Sequence, residues 1–147
     1  MLIGLLMATM VASGCGGGDD DSSLSKAEFT KQANAICSKR ENEKNEALTK
    51  GYENPEKYGI DSKGKKAEEE LISKLALPPI VTMTEELGEL GAPEGQEEKV
   101  EAMVRAFDDE VGEIETDLKG VLTGEVGEFA EANKLAKELG LDACSSI

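Results

Sequence analysis

Histidine and tryptophan are missing from this chain, and its aromatic residues are limited to two tyrosines and three phenylalanines. Without histidine there is no Ser-His or Cys-His dyad, no proximal haem ligand and no Glu-x-x-His di-metal site. A phosphate-cradling loop is also missing, because the glycines of "GCGGG" at residues 14–18 precede no strand-helix unit. Carboxylates are plentiful, with Asp108, Asp109, Glu110, Glu113, Glu115 and Asp117 crowded into one region. Acid-base work on a sugar needs a cleft with apolar or aromatic walls that shift pKa values, and so few aromatics argue against one. Nor does the cluster have the spacing of acidic ligands around a glycine that marks an EF-hand loop. No catalytic residue, metal ligand or cofactor is therefore assigned, and the chain is not read as an enzyme.

Basic residues are scarce too: 16 Lys and Arg stand against 31 Asp and Glu, a formal charge of −15. The deficit is uneven. Residues 26–74 carry 11 basic and 10 acidic side chains, whereas residues 85–118 carry 2 basic and 13 acidic ones. Such a surface repels nucleic acid and anionic lipid and favours cationic partners or loosely held divalent ions. Its plainer reading is solubility and repulsion from an anionic membrane. As a docking face it would present Asp108, Asp109 and Glu113 to a basic protein surface.

The N-terminus has the longest uncharged stretch, "MLIGLLMATMVASG". Residues 1–12 would span about 18 Å as a helix, short of the roughly 30 Å hydrocarbon core of a bilayer. An export signal fits better. "ASGC" resembles the lipobox of bacterial lipoproteins, with Ala12 where leucine is usual and no Lys or Arg before the apolar run. That resemblance implies cleavage after residue 14, a diacylglycerol thioether on Cys15, and anchorage to the outer face of the cytoplasmic membrane, or a periplasmic location if there is an outer membrane. An ordinary secretory signal or a short buried segment is the alternative. Residues 15–24, "CGGGDDDSSL", cannot build a core and read as a flexible, solvated tether.

Residues 25–147 suffice for one domain with a real core. Ala, Leu, Glu and Lys dominate, which favours helices over strands. Ser25 stands three residues before Glu28 in a capping-box spacing, and Phe29, Ala33, Ile36, Cys37 and Arg40 then share one face of a helix expected to reach about Lys50. Gly51 to Gly64 is expected to be a loop, with Tyr52 and Tyr58 its candidate ligand-contacting residues. Leu71, Ile72, Leu75, Ala76, Ile80, Met83, Leu87 and Leu90 keep a helical rhythm that Pro78 and Pro79 should kink or restart. Val100, Met103, Val104, Phe107, Val111, Ile114 and Leu118 form the cleanest apolar stripe and predict a helix over 96–119. A last helix carries Val126, Phe129, Ala132, Leu135 and Leu139, closed by the glycine of "LGL". The fold class expected is all-α: an antiparallel four-helix bundle with a proline-kinked second helix.

In such a bundle the end of the fourth helix returns toward the start of the first. Export and that geometry together favour a disulfide between Cys37 and Cys144, the alternative being a buried thiol and an unrelated free one. "LSKAEFTKQANAICSK", "LPPI" with "LGAPEG", and "FAEANKLAKELGLDACSS" resemble a group of small exported actinobacterial proteins with paired cysteines. The resemblance implies a helical fold, export and the cysteine pair, and no activity. The chain thus reads as a membrane-anchored interaction or structural module, with small-ligand or metal-ion binding as the alternative.

Overall fold

A computed structural model describes residues 24–61 and 63–147; the leader and residues 15–23 of the expected tether, Cys15 included, lie outside the described residues, whereas Leu24 packs against the core. Among the described residues all regular secondary structure is helical. In chain order come α1 (Lys26–Glu53), a 3₁₀ turn (Pro55–Tyr58), α2 (Lys65–Leu71), a π turn (Ile72–Ala76), α3 (Leu77–Glu89), α4 (Glu97–Thr116), α5 (Leu118–Thr123) and α6 (Ala130–Leu139).

α1 starts where its capping box places it. The Ser25 hydroxyl accepts the Glu28 N–H, and the Glu28 carboxylate accepts the Ser25 N–H in return. The helix does not stop at Lys50 as expected but runs on to Glu53. Gly51, read from sequence as a breaker, lies buried within it: a Cβ there would meet Leu75 Cδ1 at 2.3 Å and Leu71 Cδ2 at 2.8 Å. The glycine lets two helical segments approach, which periodicity cannot reveal.

The double proline restarts a helix without breaking the path. Pro78 and Pro79 occupy the first turn of α3, where an absent N–H costs least. Just before them the backbone widens, and the Leu77 N–H reaches back five residues to the Ile72 carbonyl. This extra residue shifts the register, so Leu77 rather than Ala76 is buried ahead of Ile80, Met83 and Leu87.

α4 ends three residues earlier than expected. At Asp117 the chain leaves helical geometry, and the carboxylate accepts the Gly120 N–H at 2.9 Å, capping the separate helix α5. The last helix begins at Ala130, not near Val126, because Phe129 takes a left-handed conformation with φ 47°. That conformation is uncommon for a bulky side chain. Here it accompanies burial of the Phe129 ring 5.8 Å from that of Phe107, while the nearby Gly127 N–H donates to Glu110 on α4. Gly140, at φ 77°, closes α6 as the glycine cap predicts.

α1 packs on α3, α3 on α4 and α4 on α6. Phe29, Met83, Leu87, Met103, Phe107, Leu139 and Leu141 fill the main core. Burial of each such side chain contributes about 1.5–3 kcal/mol. A second, smaller cluster of Ile60, Leu71 and Leu75 sits under the far half of α1, with Leu48 and Tyr58 against it. Beyond α6 the tail folds onto α1. The Ala143 N–H donates to Asn34 Oδ1 at 2.8 Å, and Cys37 and Cys144, both fully buried, form a disulfide across a Cα separation of 5.1 Å. No helix of the described residues is long and apolar enough to cross a membrane.

Candidate functional site

The face with the strongest character is the outer side of α4. Val100, Met103, Phe107, Val111 and Ile114 point into the core at spacings of three and four, which turns Asp108, Asp109 and Glu113 outward. All three are exposed, and among the described residues none is bonded to a basic group. Their neighbours in sequence have other work. Glu110 is half-buried and accepts the Gly127 N–H, and Asp117 is the α5 cap. With Glu115 also exposed and unbonded to a basic group, the six carboxylates divide into four without a basic partner among the described residues and two that hold the chain's turns. Among the described residues no group of three or more Cys, Asp or Glu is placed to hold a metal ion.

α1 and α3 are joined by a charged bridge. Arg40, near the end of the first helix's apolar stripe, gives its Nε–H and Nη2–H to the two carboxylate oxygens of Glu86 and its Nη1–H to Glu43. The Glu86 hydrogen bond, with a smaller contribution from Glu43, raises the guanidinium pKa despite partial desolvation. In return the Arg40 hydrogen bond holds the Glu86 carboxyl below its usual range, with the Arg40 and Lys39 charges assisting and burial opposing. This is a structural clasp between the two helices.

Tyr52 and Tyr58 are not arranged as a pair. Tyr52 is 66% exposed at the end of α1, whereas Tyr58 lies against the smaller apolar cluster with the Lys57 ammonium 6.0 Å from its ring. The shallow depression on this part of α1 is lined by Asn42, Asn45, Glu46, Thr49, Lys50 and Glu53. Neither tyrosine borders it.

Two other concavities involve residues that the sequence reading did not single out as sites. Between α2 and α5 a cleft of about 500 Å³ is lined by Lys65, Lys66, Lys119 and Leu122, with Glu69 and Thr123 beside them. Its lysines come from segments more than fifty positions apart, so only folding unites them. Where α3 turns into α4, a groove of about 330 Å³ runs over Leu90, Ala92, Val100 and Val104, with Glu89, Glu97 and Glu101 along it. Val104 belongs to the α4 apolar stripe, and only the structure shows it half-buried in this groove. The chain matches no family model, no curated protein and no solved structure.

Proposed function

We propose that this chain is a lipid-anchored interaction module of the cell envelope, held at Cys15 and docking a basic protein surface through the acidic side of α4. In this reading α1, the α2–α3 path, α4 and α6 are the members of an antiparallel four-helix bundle whose N-terminal leader is removed on export. The observation that carries it is the unneutralised row Asp108, Asp109 and Glu113 on the outer side of a well-packed helix. A rigid helix presenting three carboxylates outward suits recognition by steering, which is strong at low salt and screened beyond about 8 Å at physiological ionic strength. The disulfide supports export, since such bonds persist in oxidising compartments.

Crosslinking in native membranes followed by mass spectrometry tests the reading. A basic partner should be recovered with the wild-type chain and recovered less on reversal of Asp108, Asp109 and Glu113 to lysine or in high salt. Recovery unchanged by both treatments would remove the acidic face from consideration. Cys15→Ala should release the protein from the membrane fraction or stall its processing, and an unmodified mature terminus elsewhere would refute the anchor. The cleft between α2 and α5 favours a second reading, small-ligand binding, in which Lys65, Lys66 and Lys119 would receive an anion.

A further inference from the structure

The groove at the α3–α4 turn has a floor and a rim of different chemistry. Its floor is aliphatic: Val100 is 5% exposed, while Leu90, Ala92 and Val104 are half-buried and so still meet solvent. Gly88 lies at its edge, where a Cβ would make ordinary contact with Val104 Cγ1 at 3.5 Å. Along the rim stand Glu89, Glu97 and Glu101, and no basic side chain lines the groove. Glu97 accepts the Gly95 N–H at 3.0 Å, Glu101 pairs with Arg105 on the exposed face of α4, and Glu89 has no partner among the described residues. Carboxylates above an aliphatic floor match a side chain with an apolar stem and a cationic head, lying beside an apolar neighbour.

Neither the segment after Cys15 nor a second copy matches that chemistry in net charge. The segment following Cys15 carries Asp19, Asp20 and Asp21, and a second copy would bring another −15 to a groove already negative. We infer that this groove is the anchoring point for a foreign basic segment, with a lysine or arginine stem on Val104 and Leu90, its charge at Glu89 and Glu101, and an apolar neighbour over Ala92. The inference rests on the proposed docking of a basic surface and locates its specificity. The outward carboxylates of α4 would then steer the partner, and the groove would hold it.

The test is binding of a short dye-labelled peptide of alternating lysine and leucine to the full chain in non-ionic detergent, read by fluorescence anisotropy. Glu89 and Glu101 are exposed, so reversing them leaves the core intact. Glu89→Lys with Glu101→Lys should weaken binding about tenfold or more, and Asp108→Lys with Asp109→Lys, an equal change of charge, about threefold or less. Val104→Thr nearly keeps the shape but replaces a methyl with a hydroxyl. It should weaken the lysine-leucine peptide while leaving an all-lysine peptide unaffected. Equal losses from the two reversals would overturn the groove and leave the acidic face standing, and no loss from either would overturn both. Full displacement of the peptide by a linear polyamine of equal charge would replace the segment with a small polycation. Dimerisation of the full chain that masks the groove would replace it with a second copy.

Discussion

Two glycines inside helices show how the same substitution takes opposite signs. Gly112 on α4 has nothing within 4 Å of a would-be Cβ, so Gly112→Ala should stabilise the protein by about 1 kcal/mol through helix propensity. Gly51→Ala gains the same propensity but drives a methyl into Leu71 and Leu75, both buried and able to yield only by repacking. Overpacking of this kind costs about 1–3 kcal/mol, so a net loss is expected, and urea unfolding of the two variants side by side would show whether the signs differ. The Arg40–Glu86 clasp predicts a dependence on pH. Its carboxyl is depressed in the folded state. The stability it lends is therefore complete above the unfolded Glu value of about 4.3 and lost as pH falls through the lower folded value. Glu86→Gln should cost about 1 kcal/mol at neutral pH, and its melting temperature should converge on that of the wild type below about pH 4. A constant loss down to pH 3 would assign the effect to something other than the Glu86 charge, and no loss at neutral pH would show the clasp to be inert. Ser25 and Glu28 were legible as a local pattern that needs no tertiary knowledge. Arg40 was legible only as a face residue, because its partner is 46 positions away.

At the scale of elements, the apolar rhythm located the major helices, and local side-chain chemistry set the ends it missed. Asp117 is the clearest case. Leu118 continues the α4 stripe, so periodicity alone carries the helix past a residue whose carboxylate instead bonds the Gly120 N–H and starts a new one. A Cβ on Gly120 would lie 2.6 Å from Asp117 Oδ2, so the "D-x-x-G" spacing and the cap belong together. Asp117→Ala should cost about 1 kcal/mol, and Asp117→Asn should recover most of it. Loss of stability in both to the same degree would assign the effect to charge rather than to the cap. The π turn before Pro78 was legible as a disturbance but not in kind, since the choice between kink, restart and widened turn depends on what Leu77 can bury. For the candidate site, Asp108, Asp109 and Glu113 followed directly from the α4 stripe. The groove did not, because its rim and floor come from the ends of two helices and the turn between them.

For the whole molecule, the connection between the two chain ends matters more than any single helix. α6 has 10 residues against 28 in α1, and the far end of α1 rests on a small apolar cluster of its own. Closing a loop of about 100 residues is worth roughly 4.7 kcal/mol in the chain-entropy model. Cys37→Ala with Cys144→Ala should therefore lower stability by about 4 kcal/mol in urea unfolding, and a loss near zero would mean that Asn34, Leu141 and the core hold the tail unaided.

The Cys37–Cys144 bond also makes the backbone between those residues a closed circuit, of which the exposed Lys63, Lys65 and Lys66 are one accessible stretch. A single cut by a trypsin-like protease at those lysines opens the circuit but severs nothing from it. Such a nicked molecule should migrate as one species without reductant and as two fragments with it. Whatever holds residue 25 upstream would still be covalently joined to the acidic helix α4 downstream, so damage in that connecting segment would not cast α4 loose.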